Sequence, residues 1–379
     1  MAAPAKKNVT IIGAGIAGLT AALCLNKHSI PVKIIEKRAA LTSAGAGIQI
    51  TPNAFRILDA LGLGEFIKTS SHRAKQLKVC KARTGNIITN MPLGADFENT
   101  HGAPYLVLKR QAIIEALYQQ VMAQNILIQF NKKHDKPADI TDEIIIGADG
   151  VWSIVREQIN GPEASFSGRT AFRSMISAEK ARNPNTPKDL TMWLGDKAHF
   201  VAYPVDEAGT LNLVCVVKNE QPEKRWSSPA TSHEVLHHLK DWNDDILGLV
   251  DLGENWQRWP LYTVSPNQSW SRDNKVLIGD AAHAMVPFLA QGGAMAIEDA
   301  ATLAHAIATK SPLNDAFSAY QSSRQQRVSR IWNEATANGE RYHWSGIMAK
   351  TRDLGLKAMG GERLQRRYHW IYDWKPPVQ

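Results

Sequence analysis

Hydrophobic and polar positions along the chain keep two different rhythms. Val9 to Ile12 is a short β-branched, apolar run that Gly13 breaks, and from Ile16 to His28 apolar residues recur at helical spacing. Val32 to Ile35 is a second apolar run. This opening therefore predicts strand, tight turn, helix and strand, the βαβ unit of a parallel sheet. Farther on, "PNAFRILDALGLGEFI" predicts a short helix ended by glycine and "RQAIIEALYQQVMAQ" an amphipathic helix. "DEIIIGADGVWSIVRE" predicts a buried strand, a turn over Gly147 to Gly150 and a helix start. Between Thr170 and Val217 the rhythm becomes alternation: "TMWLGDKAHFVAYPV" and "TLNLVCVV" read as antiparallel strands with "DEAG" as the turn. The first rhythm returns with a strand at Val276 to Ile278, a helix after it, and long helical segments to the end. The expectation is one discontinuous α/β domain, residues 1–165 and 266–379, interrupted at 166–265 by a mostly antiparallel sheet domain.

Composition narrows this picture. A chain of 379 residues can bury a large core, and 44% hydrophobic with 21% charged residues is ordinary for a soluble protein. No apolar run approaches the roughly 18 residues of a membrane span, and the start "MAAPAKKN" has no apolar signal core, so a cytoplasmic protein is expected. Cys24, Cys80 and Cys215 are odd in number and far apart, which predicts reduced, mostly buried thiols rather than a disulfide or zinc framework. His233, His237 and His238 lack convergent carboxylates, so no metal site is expected. The formal charge is +8, and the stretch from Arg324 to Arg367 holds ten Lys/Arg against four Asp/Glu. A solvated helix face is the plain explanation, and no nucleic-acid partner is expected. A surplus that draws anionic ligands toward a cleft is the other reading.

Chemistry enters at the turns. Gly13, Gly15 and Gly18 form GxGxxG between a strand and a helix, and Glu36 closes the next strand. The first glycine permits the turn, the second lets backbone approach a pyrophosphate, and the third lets helix and strand pack closely. Unpaired N–H groups and the helix dipole face the phosphates, with Glu36 placed for ribose hydroxyls. Asp149 and Asp280 stand at two other strand ends, and Gln291, Gly292 and Gly293 open a long helix. No second GxGxxG is present.

In order and spacing, these motifs resemble the flavin-dependent (group A) aromatic hydroxylases, especially salicylate and hydroxybenzoate hydroxylases. The likeness rests on the glycine motif, "GADGVWSIVR" and "LIGDAAHAMVPFLAQGGAMAIEDA", together with "GAGIQITPNA" and "RWPLY", and it spans nearly the whole chain. The resemblance implies a Rossmann-like FAD-binding domain of the p-hydroxybenzoate hydroxylase type, with an inserted antiparallel β-sheet substrate domain and C-terminal helices. It implies FAD as cofactor, held by Gly13, Gly15, Ala17, Gly18, Glu36, Lys37, Gly47, Ile48, Arg110, Asp149, Asp280, Gln291, Gly292, Gly293 and Ala294. NADH or NADPH would be a transient electron donor. With O2 a flavin hydroperoxide would then hydroxylate a salicylate- or hydroxybenzoate-like ring. Pro287 matches the family's proline beside the flavin's reactive edge, or is a plain helix stop. His199, Val201 and Tyr203 share one strand face, and His199 is either the base that deprotonates a phenol or a hydrogen-bonded structural histidine. Tyr203 either serves the site or simply packs. His283 reads as structural. The basic balance suits an aromatic carboxylate without marking the arginine that would pair with it.

One departure supports an alternative. Only "NKKHDKPADITD" separates Phe130 from Glu143, where family members have a longer crossover. A non-oxygenating FAD-binding redox sensor or partner protein is the second expectation. The tail from Arg341 to Trp374 resembles that of salicylate hydroxylases and suggests domain packing or a homodimer.

Overall fold

The computed structural model describes residues 8–41, 46–132, 143–219 and 227–377. The first seven residues of the chain and residues 133–142 of the short crossover lie outside them.

Six strands form the first sheet, in the order Ser271–Arg272, Lys275–Leu277, Ile144–Gly147, Val9–Ile12, Val32–Ile35 and Leu127–Gln129. Neighbours run parallel except at the edge strand Ser271–Arg272. Val9–Ile12 lies inside this sheet with every residue buried, which explains its β-branched and mostly apolar run. Register then assembles an edge: Ile12 pairs with Ile35 and Gly147, and Leu277 also pairs with Gly147. The turns that follow these strands, at Gly13, Glu36, Ala148 and Gly279, meet at the sheet's carboxyl end, where open α/β sheets bind ligands.

The second sheet has eight strands, in the order Ser228–Pro229, Glu254–Thr263, Ser165–Ile176, Leu211–Lys218, Ala198–Pro204, Leu190–Gly195, Gln76–Lys81 and Ile87–Pro92. Its pairs are antiparallel except Leu190–Gly195 with Gln76–Lys81. The last two strands come from inside segment 1–165, so this sheet draws on both sides of the expected boundary at 165/166. A strand's composition shows that it can pair, not with which sheet. A third sheet of three strands, Gly47–Ile50, Leu106–Lys109 and His72–Arg73, carries "GIQI".

Helices Gly292–Thr309, Leu313–Tyr342 and Gly346–Arg367 follow the last strands. The late basic stretch is divided: Arg330, Lys350, Lys357, Arg363, Arg366 and Arg367 are exposed, as a solvated face requires, whereas Arg324 and Arg327 turn inward. Arg324 is fully buried and bonds Glu298 and Asp299, and Asp299 also bonds His283 at 2.5 Å. Arg327 grips Glu298 and the carbonyls of Trp370 and Ile371. Arg56 holds the carbonyls of Tyr372 and Trp374, so the tail is docked on the body of the fold. His283 thus belongs to a structural network.

Cys24, Cys80 and Cys215 are free and buried, and burial pushes the Cys24 and Cys80 thiols up to about 12 and about 11. Among the described residues no helix is long and apolar enough to cross a membrane, and no His/Cys/Asp/Glu cluster is built to hold a metal.

Candidate active site

The glycine turn is shaped by close contact. Gly13 sits at φ +104°, and a Cβ there would lie 2.5 Å from the Ala148 carbonyl oxygen. A Cβ on Gly18 would lie 1.9 Å from the Gly13 carbonyl oxygen, so this position lets the helix reach the turn. Gly15 is different: nothing lies within 4 Å of its would-be Cβ, so the backbone at the start of helix Ile16–Lys27 is left bare. The buried Glu36 carboxylate stiffens the turn, accepting the Ala14 N–H at 2.8 Å through Oε2 and the Arg38 N–H at 2.9 Å through Oε1.

A cavity of about 660 Å³ opens between this turn and the eight-stranded sheet. Of the residues singled out from sequence, Gly13, Gly15, Ala17, Glu36, Lys37, Gly47, Ile48, Arg110, Asp149, His199, Tyr203, Asp280, Pro287, Gly292 and Gly293 line it. Three do not. Gly18 is covered by the turn, and Ala294 is in the hydrophobic core. Gln291 is buried, bonding Thr51 and Asn53 at 3.1 Å each.

The charged groups on this wall suit a bound dinucleotide. Asp149 Oδ2 accepts the Ile154 N–H at 2.8 Å, whereas Oδ1 is buried with no protein partner; burial, despite these bonds, raises the carboxyl's pKa. Arg110 begins its helix directly after strand Leu106–Lys109, and burial lowers its pKa while the nearby Asp280 carboxylate opposes that. Gly279, at φ +59°, turns the chain into Asp280 and donates its N–H to Asp299 at 3.0 Å. A bare helix start, an unpartnered buried carboxylate oxygen and a neighbouring Arg110 and Asp280 along one elongated wall fit an FAD-sized ligand.

The opposite wall is the sheet. His199, Val201 and Tyr203 pair with Val216, Val214 and Asn212, and all six line the cavity. Asn212 Oδ1 accepts the Gly47 N–H at 2.7 Å, tying "GIQI" to this face. His199 is buried, its Nδ1 lies 2.8 Å from His343 Nε2, and burial with the charges of His343 and Arg169 lowers its pKa well below the usual value. Burial pushes the Tyr203 hydroxyl up to about 12, against the pull of Arg173 and a bond to Gln49, so it remains a donor. Sequence reasoning missed Arg173. It pairs with Val214, faces the cavity, stacks over Trp259 at 5.4 Å and has an Nε with no hydrogen-bond partner. The signal was an arginine inside strand "TAFRSMI", on the same alternating face as the cavity residues. Beyond His199 and Val201, an apolar chamber of about 200 Å³ continues along the sheet past Leu190, Met192 and Val79 to Leu356 and Tyr368.

Comparison with known proteins gives the following. A family model described as an FAD binding domain matches residues 6–335. The 3-hydroxybenzoate 6-hydroxylase of Polaromonas naphthalenivorans (strain CJ2) is 30% identical over 98% of this chain and 97% of that protein. The 3-hydroxybenzoate 6-hydroxylase 1 of Aquipseudomonas alcaligenes is 32% identical over 96% of each. Among solved structures, Klebsiella pneumoniae HpxO complexed with FAD and uric acid superposes with a TM-score of 0.83 at 21% identity, covering 97% of this chain and 96% of that one. A salicylate hydroxylase substrate complex gives 0.80 at 23% identity, covering 98% and 97%.

Proposed function

We propose a substrate and an electron donor from one premise: the chain belongs to the FAD binding domain family and is an FAD-dependent aromatic monooxygenase. The substrate is a hydroxybenzoate, with 3-hydroxybenzoate the first compound to try, and the donor is NADH or NADPH with O2 as oxidant. The single observation that carries this is the placement, along one cavity, of a buried imidazole and a guanidinium that has an unpartnered nitrogen.

Bound FAD supplies the redox chemistry, accepting electrons from the nicotinamide and activating O2. Gly13, Gly15, Ala17, Glu36, Lys37, Arg110, Asp149 and Asp280 are the residues that hold it, with Gly47 and Ile48 beside them. Gly292–Gly293 would offer a helix start, with its bare N–H groups and positive dipole end, to the flavin, and Pro287 lines the same cavity. Gly18, Gln291 and Ala294 act from behind, by allowing or bracing that wall. His199 accepts the phenolic proton, which raises electron density on the ring. Arg173 faces the anion, and the protonated Tyr203 donates a hydrogen bond that fixes orientation. The purified, FAD-loaded protein should consume NADH or NADPH faster with 3-hydroxybenzoate present and yield a dihydroxybenzoate; a broad hydroxybenzoate panel without product would overturn the assignment.

Two expected results arise here. Replacing Arg173 with methionine should raise KM for 3-hydroxybenzoate roughly ten- to hundredfold, since a hydrogen bond to a charged group contributes about 1.5–3 kcal/mol. An unchanged KM would remove Arg173 from recognition. For the nicotinamide, a groove of about 350 Å³ leads to Pro287 and is lined by Arg38, Trp152, Trp259 and Tyr262. Trp152 is 40% exposed and meets Tyr262 edge-on at 4.5 Å. Trp152→Ala should raise the KM for the nicotinamide coenzyme about three- to tenfold and leave that for the aromatic substrate alone; the reverse pattern in steady-state kinetics would place the coenzyme elsewhere.

A further inference from the structure

Resting on the assignment of His199 as the proton acceptor, we propose that His343 is a positioning residue for it. It holds the proton on His199 Nδ1 and leaves Nε2 as the accepting nitrogen of a residue that lines the cavity.

The contact is His199 Nδ1 to His343 Nε2 at 2.8 Å, with ring centroids 5.0 Å apart. Among the described residues His343 is the only side chain hydrogen-bonded to His199. The other rings around it, Phe288 at 5.1 Å and Tyr342 at 5.3 Å, approach edge-on and supply no acceptor for Nδ1. His343 lines neither the large cavity nor the apolar chamber, so it acts on substrate only through His199. Its backbone is fixed on both sides, donating to the Glu340 carbonyl at 3.2 Å and accepting the Lys197 N–H at 3.3 Å.

A neutral imidazole carries one proton, and across a single N···N contact one ring donates while the other accepts. The hydrogen bond at one nitrogen therefore sets the chemistry of the other. The charges facing the pair are Arg169 on strand Ser165–Ile176, Lys218 ending strand Leu211–Lys218, Arg352 on the last long helix, and Glu340, which is ion-paired with Arg169. With burial first and these cations next, His343 is lowered to about 3, so it takes up no second proton, and its own proton sits on the buried Nδ1. Its action is on tautomer and ring orientation. The step balances at His199: the phenol O–H breaks, its proton goes to Nε2, Nδ1–H stays bonded to His343, and the phenolate faces Arg173.

The test uses the FAD-loaded protein without reductant, titrated with 3-hydroxybenzoate while phenolate absorbance of the bound ligand is followed against pH. His343→Leu should move the ionisation midpoint up by about one pH unit or more, a tenfold loss of phenolate at a given pH. His343→Gln, which keeps an acceptor, should stay near the parent. His343→Phe carries the Leu expectation with ring packing retained, should the Leu variant not fold. An unmoved midpoint in the apolar variants, or an equal shift in His343→Gln, overturns the proposal. His199→Asn separates the two ideas. If it shifts the midpoint and the apolar His343 variants do not, only His343 loses its role; if it shifts nothing, the acceptor assignment fails and the proposal falls with it.

Discussion

Replacing His199 with asparagine lowers turnover of 3-hydroxybenzoate by about 10²- to 10⁴-fold, the usual contribution of a positioned general base. Asparagine keeps a polar side chain of similar reach but cannot take a proton. The loss should fall on product formation with bound FAD unchanged, because His199 stands on the sheet wall rather than the glycine-turn wall. Burial and the charges of His343 and Arg169 lower the pKa of the imidazole well below its usual value, which keeps it neutral and also makes it a weaker base, so its effect depends on position. Single-turnover measurement of dihydroxybenzoate is the check. A loss of only a few fold would return His199 to a packing role.

The second large effect is on stability. Arg324→Met should destabilise the protein by about 3–5 kcal/mol, because removing one partner leaves buried carboxylates uncompensated. Glu298 keeps Arg327 and Asn53, and Asp299 keeps His283, so the lower part of that range is expected. Burial alone would raise the Asp299 carboxyl, but His283 and Arg324 outweigh it and hold it down to about 2 from the usual 3.8. Its folded-state value is depressed, so its stabilisation is present above the unfolded value and is lost as pH falls through the folded one. The parent should therefore lose this contribution between about pH 4 and pH 2, and Arg324→Met should flatten that limb. Asp299 also receives the Gly279 N–H, one residue before Asp280, so FAD should dissociate more readily from the variant. Urea unfolding followed by tryptophan and flavin fluorescence tests both. A change below about 1 kcal/mol would mean that neighbouring partners suffice.

What could be read from the chain was what depends on near neighbours. Gly13, Gly15, Gly18 and Glu36 fall within one βαβ unit, where local rhythm and turn chemistry determine the shape. The alternation at 199–203 likewise revealed which side chains share a face. Arg173 and His343 stayed hidden because each acquires meaning from a partner far along the chain: Val214 across a strand pair, and His199 at a helix end. Strands 76–81 and 87–92 were silent for the same reason, since their sheet is completed by residue 190 and beyond. Gln291 shows the opposite limit. Its place in a glycine motif suggested contact with the ligand, whereas a buried amide with partners at Thr51 and Asn53 is satisfied within the fold.

The two large sheets collect their strands by repeated passage, residues 9–35, 127–147 and 271–277 for one and 76–92, 165–218 and 228–263 for the other. Pairings of such wide sequence separation require long loops to close before contacts compensate for the lost entropy, so the chain should acquire its native state slowly. The lining of the cleft runs from Ile12 to Ala296, so no short contiguous fragment contains it whole. Recovery of coenzyme fluorescence quenching during renaturation should accordingly trail the return of helical ellipticity, as the final event rather than an early one.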